Sequence, residues 1–194
     1  MINDLNSNQS SSITSPCSII LNDALRDRDK SKRFVFLDRD GVININRDDY
    51  VKSWDEFVFI QGSKEAIKLL NDNNFWIILV TNQSPIGRGI FSHETLEKIH
   101  DKMLQELYQA GAHIDAIYYC PHSPDDKCEC RKPKPGLLTR AAEELDIDLK
   151  SSILVGDSDG DLEAGNAVGC KTFKVTETND LLQVVKLIIE KDQY

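Results

Sequence analysis

The organisation of the chain follows from residues 34–41, which read FVFLDRDG. The apolar run that opens this stretch is too short for a helix and predicts a buried strand of a parallel sheet. Gly41 allows the chain to turn sharply just past the strand. Ligands of open parallel sheets lie beyond the carboxyl ends of the strands, so we expect Asp38 and Asp40 on the floor of an active-site crevice.

Two interpretations of this aspartate pair are open at this point. Carboxylates this close repel each other unless a cation or a shared proton intervenes, which favours a functional site. Aspartate and glycine are also ordinary turn residues, and a strand followed by a plain turn would have the same sequence. The other segments of the chain must therefore decide between the two.

The composition excludes several classes of function. Lys and Arg total 23 of the 194 residues against 32 Asp and Glu, which gives a formal net charge of −9. This acidity argues against nonspecific binding to nucleic acid or anionic membranes. Apolar runs stay below the ~20 residues that span a bilayer, and a signal peptide is not evident. We therefore expect a cytosolic protein, monomeric at this size, whose five cysteines are metal ligands or buried thiols rather than disulfides.

The chain divides into a tail and one domain. Residues 1–32 are rich in Ser, Asn and Asp, and we expect a mobile tail with a weak helix near residues 22–28. Residues 33–194 alternate strand and helix patterns. This alternation predicts a single α/β domain, a doubly wound, Rossmann-like parallel sheet with helices on both faces and no large cap domain. Predicted strands lie near residues 34–37, 75–80, 117–119, 153–155 and 171–175.

Polar residues stand at the carboxyl ends of three predicted strands, where Asp38, Thr81 and Asp157 should converge on one edge of the sheet. Asp38, Asp40 and Asp157 offer the hard oxygen ligands that Mg²⁺ prefers. One aspartate could attack phosphorus, while the second exchanges protons with the leaving group and water. Side chains that could donate hydrogen bonds to a phosphoryl group are those of Thr81, Asn82, Arg131 and Lys132.

A second constellation lies at residues 120–130, which read CPHSPDDKCEC. Three thiols and one imidazole at this spacing favour a closed, structural zinc site. The alternatives are two buried thiols with a surface histidine, or a reversible disulfide. Zinc would fasten this loop and so hold the adjoining Arg131 and Lys132 over the crevice. The four ligands would be Cys120, His122, Cys128 and Cys130.

Four segments, in this order, resemble the haloacid-dehalogenase-like phosphatases: FLDRDGVIN, VTNQSPIGRG, CPH…CECRKPKPG and VGDSDGDLEAG. The resemblance covers about residues 34–175 and is narrower still to the heptose-bisphosphatase and histidinol-phosphatase branch. It implies that Asp38 is the nucleophile and Asp40 the general acid/base. It implies that Mg²⁺ is held by Asp38, the main chain at Asp40, and Asp157. The residues implied to stabilise the phosphoryl group are Thr81, Arg131 and Lys132, and those implied to line the substrate end are Asn46, Arg47, Asp48, Asp49, Tyr50, Asn82, Gln83 and Ser84.

The branch implies a magnesium-dependent phosphatase that removes the 7-phosphate of a heptose 1,7-bisphosphate through an aspartyl-phosphate. Such a reaction supplies nucleotide-activated heptose for lipopolysaccharide or surface layers. Histidinol phosphate is the alternative substrate. Two other classes compete, a receiver-like signalling domain with an acidic magnesium pocket and a zinc-organised interaction module without catalysis. Asp40 and the zinc motif argue against the receiver.

Overall fold

The computed structural model describes residues 12–15, 18–22, 25 and 33–192. Its strands are β1 Ser12–Ser15, β2 Ser18–Ile20, β3 Arg33–Leu37, β4 Phe75–Asn82, β5 Ala116–Cys120, β6 Ile153–Gly156 and β7 Lys171–Lys174. Its helices are α1 Ser63–Asp72, α2 Ser84–Gly87, α3 His93–Gln109, α4 Gly136–Leu145, α5 Asp159–Ala167 and α6 Leu181–Asp192. Of the helices within the described ranges, none combines the length and the apolar composition that crossing a membrane requires.

The strands form one sheet in the order β1-β2-β5-β4-β3-β6-β7. Strand β3 lies in the middle of the parallel part, paired with β4 on one side and β6 on the other. The chain first extends the sheet through β4 and β5, then returns to the other side of β3 for β6 and β7. This reversal creates a crevice at the carboxyl ends of the central strands, which confirms the predicted doubly wound arrangement.

Both faces of the sheet are covered by helices, as the apolar strands predicted. Val35 and Leu37 of β3 pack in a core shared with α1, α3 and α6. Phe34 and Phe36 alternate to the opposite face and pack against residues of α4 and α5. Because successive side chains of a strand point to opposite faces, a strand buried on both sides needs an uninterrupted apolar sequence.

The sheet is not wholly parallel, because two segments of residues 1–32, where we predicted a mobile tail, form strands at its edge. Strand β2 pairs antiparallel with the edge of β5, and β1 pairs antiparallel with β2. The main chain at Leu21 and Asn22 continues this attachment to the carbonyl of Asp115, and Leu25 is fully buried. An open strand edge offers unpaired backbone groups to a short apolar segment. The rest of the tail, including most of the predicted helix at 22–28, lies outside the described residues.

The helix starts follow local capping, with one correction. Ser92 precedes α3 as predicted, and its hydroxyl accepts a hydrogen bond from the backbone N–H of Thr95 at 3.2 Å. Serine is a favoured cap residue, so the sequence predicts Ser63 as the cap of α1. In the structure Ser63 is the first helical residue, and Gly62 takes the cap position with a φ of +83°. Glycine adopts this left-handed conformation without the steric cost that a Cβ imposes.

Helix α5 must lie close to β6 because its first turn brings Asp161 to the edge of the sheet. A Cβ at Gly165 would lie 2.6 Å from Thr172 Cγ2 and 2.8 Å from Leu154 Cδ2. We predict that Gly165→Ala lowers the free energy of unfolding by about 1–3 kcal/mol, since overpacking outweighs the ~1 kcal/mol that alanine gains in a helix. Urea unfolding of the two proteins measures the difference.

Gly160→Ala is the matched control in the same helix. A Cβ there would meet its nearest neighbour at an ordinary 3.7 Å. We expect its stability to equal or slightly exceed that of the wild type. Equal losses in both variants would contradict a close approach specific to Gly165.

Candidate active site

A cavity of about 340 Å³ opens at the carboxyl ends of β3, β4 and β6. Its walls also include residues 46–48, 50 and 51 and the segment that follows the cysteine-rich loop. Asp49 is not among the lining residues, and its carboxylate contacts Arg47 and Lys52 instead. The predicted site residues that do line the cavity are Asp38, Asp40, Asn46, Arg47, Asp48, Tyr50, Thr81, Asn82, Gln83, Ser84, Arg131, Lys132 and Asp157.

Three carboxylates cluster on the floor of this cavity. One oxygen from each of Asp38, Asp157 and Asp161 lies within 4.8 Å of the others, close enough for all three to surround one cation. Gly41 makes this approach possible, because a Cβ there would lie 2.1 Å from Asp157 Oδ2. The glycine predicted for a turn therefore also leaves room for the second carboxylate.

Lys132 supplies the positive charge within the cluster. Its Nζ lies 2.9 Å from Asp38 Oδ1 and 2.5 Å from Asp161 Oδ1, and it donates a hydrogen bond to the carbonyl of Val80 at 2.9 Å. Burial by itself lowers the pKa of Lys132, but the two carboxylates outweigh this effect and the pKa is raised. The ammonium is therefore charged and fixed between its partners.

The single positive charge of Lys132 does not balance the negative charges of the three clustered carboxylates. Burial raises the pKa of Asp38, with Lys132 opposing the rise and repulsion from Asp161 and Asp40 adding to it. Burial, and after it repulsion from Asp161, also raises the pKa of Asp157. A divalent cation would offset this repulsion, and a set of carboxylate oxygens suits a hard cation.

Asp161 has little capacity left for such a cation. Its Oδ1 contacts Lys132, and its Oδ2 accepts hydrogen bonds from the backbone N–H and the hydroxyl of Ser158 at 3.1 and 2.6 Å. Asp38 and Asp157 are therefore the carboxylates best placed to hold it. Asp161 instead orients Lys132 and, with Ser158, caps the start of α5.

Asp40 is held differently from Asp38. Arg39 Nη2 lies 3.0 Å from both of its carboxylate oxygens, and the side-chain amides of Asn44 and Gln83 donate to it at 2.9 and 3.0 Å. Burial raises the pKa of Asp40, but the Arg39 charge and these hydrogen bonds outweigh burial, and the pKa is lowered. Both carboxylate oxygens of Asp40 therefore already have hydrogen-bond partners.

Two residues predicted at the substrate end instead bind the protein itself. The side-chain amide of Asn82 exchanges two hydrogen bonds of 3.1 Å with the main chain of Lys132. Gln83 donates to Asp40 and to the Thr81 hydroxyl, both at 3.0 Å. They border the cavity, yet their polar groups position catalytic candidates.

Four residues of this site were not singled out from the sequence: Arg39, Asn44, His100 and Asp161. A signal existed for Asp161, since Ser158 and Asp161 have the spacing of a helix-capping box. Without cysteine or carboxylate partners at metal spacing, the sequence predicts His100 to be an ordinary surface or boundary residue. This prediction is wrong, because His100 is 1% exposed and contacts Arg39. Its burial depends on how α3 packs beneath the turn after β3, which helical periodicity alone does not reveal.

The predicted zinc ligands lie together at the end of β5. His122 Nδ1 is 3.6 Å from Cys120 Sγ and 3.2 Å from Cys130 Sγ. The three sulfurs are 3.3–3.6 Å apart, and the cysteines are free thiols. A tetrahedral zinc ion with Zn–S bonds of about 2.3 Å implies sulfur separations of about 3.8 Å, so the donor set fits zinc with a small expansion.

The chain is similar to proteins of known sequence and structure. A sequence profile described as HAD-hydrolase-like matches residues 129–183. The D-glycero-β-D-manno-heptose-1,7-bisphosphate 7-phosphatase of Pseudomonas aeruginosa is 45% identical over 145 residues, 75% of this chain and 82% of its own length. The enzyme of the same name from Bordetella bronchiseptica is 46% identical over 147 residues, 76% of this chain and 82% of its own length.

Solved structures agree with the sequence relatives. The B. bronchiseptica D,D-heptose 1,7-bisphosphate phosphatase, crystallised with magnesium and phosphate, matches with a TM-score of 0.78 and 39% identity, covering 82% of this chain and 99% of the other. The Burkholderia thailandensis enzyme of that name matches with a TM-score of 0.61 and 32% identity over 81% and 99% of the two chains. Identity at this level across most of both sequences means that the protein belongs to the D-glycero-β-D-manno-heptose-1,7-bisphosphate 7-phosphatase family, within the haloacid-dehalogenase-like hydrolases.

Proposed function

We propose that the protein is a magnesium-dependent phosphatase that hydrolyses the 7-phosphate of D-glycero-D-manno-heptose 1,7-bisphosphate through an aspartyl-phosphate at Asp38. The observation that carries this proposal is the floor of the cavity, where Asp38 lies with two further carboxylates and contacts the Lys132 ammonium at 2.9 Å. The relatives supply the substrate, since they are named for this heptose bisphosphate.

Magnesium is supported by the donor set and by the relative that was crystallised with magnesium and phosphate. Asp38, Asp157 and the main chain at Asp40 are the groups proposed to hold the ion. When bound, it supplies positive charge that neutralises the carboxylates and orients a phosphate oxygen. The remaining chemistry belongs to side chains of the chain itself.

In the first step, an Asp38 oxygen forms a bond to phosphorus as the ester bond to the sugar oxygen breaks. Lys132 opposes the rise that burial causes in the pKa of Asp38. The Thr81 hydroxyl and Arg131 donate hydrogen bonds to the phosphoryl oxygens. Nη1 of Arg131 supports this role, since it is buried with no hydrogen-bond partner among the described residues. With phosphate bound, Asp40 takes up a proton from solvent water and gives it to the leaving oxygen, so that the sugar departs as an alcohol.

In the second step, Asp40 returns as the base. The proton has left with the sugar alcohol, and the lowered pKa of Asp40 favours its ionised form, with burial opposed by the Arg39 charge. It takes a proton from water as the water oxygen bonds to phosphorus and the Asp38–phosphorus bond breaks. A receiver domain retains its acyl phosphate, whereas a positioned base of this kind favours turnover.

The heptose bisphosphate is favoured over histidinol phosphate because the relatives compared above carry the heptose name. Residues 46–50 are the proposed substrate contacts, except for Asp49, whose carboxylate contacts Arg47 and Lys52. The monomeric state and the cytosolic location stay predictions.

The proposal is tested with a panel of three substrates, the two anomers of the heptose 1,7-bisphosphate and histidinol phosphate, with phosphate release as the readout. We expect kcat/KM for the better heptose anomer to exceed that for histidinol phosphate by at least about 100-fold, because binding contacts to the sugar discriminate in the transition state. Asp38→Asn should lower activity by about 10³-fold or more, since an amide cannot act as the nucleophile.

Asp72→Asn is the control for the same chemical change. Asp72 lies on α1 in an exposed ion pair with Lys68, away from the cavity. We expect it to retain wild-type kinetics. Comparable rates on histidinol phosphate would overturn the substrate, and an active Asp38→Asn variant would overturn the chemistry.

We also propose that zinc binds Cys120, His122, Cys128 and Cys130 and holds the loop that leads into Arg131 and Lys132. We predict that Cys128→Ser removes about one zinc per chain and lowers thermal stability and activity together, because Lys132 loses its fixed position. Metal analysis, thermal unfolding and phosphate release measure the three effects.

Cys170→Ser is the matched control, since Cys170 is also a free thiol but lies outside the cluster. It should keep its zinc. A Cys128→Ser protein that is free of zinc and fully active would show that the loop needs no metal to position Lys132.

A further inference from the structure

His100 does not line the cavity but lies behind the turn that follows β3, residues 38–41. It belongs to α3 and is 1% exposed. Its Nε2 lies 3.3 Å from Nη1 of Arg39, which is itself 1% exposed. Its ring also meets the ring of Tyr119 edge-on, with centroids 6.3 Å apart. Neither of the two proposed chemical steps uses this buried histidine.

The direction of the hydrogen bond follows from the two side chains. A guanidinium has only donors, so Nε2 of His100 must accept and Nδ1 must carry the proton of the neutral ring. Burial lowers the pKa of His100 to about 3, with Arg39 acting in the same direction and Asp40 against it. The ring thus stays neutral and remains an acceptor.

Arg39 transmits this contact to the reaction centre. Its Nη2, on the same rigid plane as Nη1, lies 3.0 Å from both oxygens of Asp40. Fixing one edge of a planar guanidinium fixes the direction of the other. Without an acceptor at His100, Nη1 would be a buried donor with no partner, which favours rotation of the group away from its present orientation.

We propose that His100 is a positioning residue that, through Arg39, holds the Asp40 carboxylate in the orientation needed for proton transfer. The inference rests on the proposed function, in which Asp40 is the general acid and base. A purely structural histidine would fill space in the core without regard to its acceptor. The two roles predict different results when His100 is replaced. A positioning role predicts that activity depends on whether the new side chain is an acceptor, and that the loss is confined to substrates whose leaving group needs a proton.

The test compares two esters with His100→Leu and His100→Gln. The 7-phosphate of the heptose bisphosphate is a primary alkyl ester whose cleavage releases an alkoxide that needs a proton, whereas p-nitrophenyl phosphate releases an anion that is stable near neutral pH. General acid catalysis contributes about 10²–10⁴-fold, so we expect His100→Leu to lose roughly 10–100-fold in kcat/KM on the alkyl ester and less than about 3-fold on the aryl ester. The alkyl loss should appear in kcat with KM little changed.

His100→Gln retains an acceptor and should recover most of the alkyl activity. The ratio of kcat/KM for the two esters does not depend on the fraction of folded enzyme, so a destabilised variant still gives an answer. Ile99→Ala is the matched control, because Ile99 neighbours His100, is also 1% exposed and offers no acceptor to lose. We expect it to leave the ratio at the wild-type value.

Equal losses on both esters in His100→Leu, or a His100→Gln variant as impaired as His100→Leu, would overturn the positioning role. A wild-type enzyme that does not release the 7-phosphate of the heptose bisphosphate would overturn the proposed function itself, and with it the role of Asp40 on which this inference rests. The two failures are therefore distinguishable.

Discussion

The site depends on burying negative charge at the end of a parallel sheet. Three carboxylates within 4.8 Å of one another repel strongly in a medium of low polarity, and the Lys132 ammonium between Asp38 and Asp161 opposes that repulsion. Lys132 does not fully balance the negative charge of the carboxylates. The raised pKa of Asp38, which is caused first by burial, indicates this imbalance. Because negative charge remains uncompensated, the cavity is suitable for a divalent cation and for a carboxylate that attacks phosphorus.

Different partners surround the two aspartates that we propose to act in catalysis, Asp38 and Asp40. Lys132 is held through its main chain by Asn82 and through its ammonium by Asp161 and Val80. Asp40 is held by Arg39 from one side and by amides from the other. Burial outweighs the Lys132 charge at Asp38, whereas the Arg39 charge and the hydrogen-bond donors outweigh burial at Asp40. Two identical side chains two positions apart therefore acquire different proton affinities.

The central features of the fold were predictable because they follow from local rules. Uninterrupted apolar runs such as residues 75–80 gave the buried strands, and the order of strands and helices gave a doubly wound sheet. The polar residues after those strands converged because parallel strands end at one edge. The Cys and His spacing predicted the cluster at the end of β5. Each of these inferences needs only neighbours in the sequence or one topological rule.

The remaining features depend on contacts between distant segments, for which a single sequence gives little warning. Pairing of residues 18–20 with the edge of β5 depends on a free edge, not on the composition of the tail. His100 could not be linked to Arg39, 61 positions earlier in the chain, by periodicity. Asn82 and Gln83 have the side chains of a binding site, but the groups they bind belong to the protein.

The most direct test of the central claim is to trap the covalent intermediate. The enzyme is quenched during turnover of the heptose bisphosphate and treated with borohydride, which reduces an acyl phosphate to an alcohol, and the peptides are then analysed by mass spectrometry. We expect homoserine in place of Asp38, only when substrate was present. Turnover with an unmodified Asp38, or with the modification at another carboxylate, would contradict nucleophilic attack by the residue at the centre of the cluster.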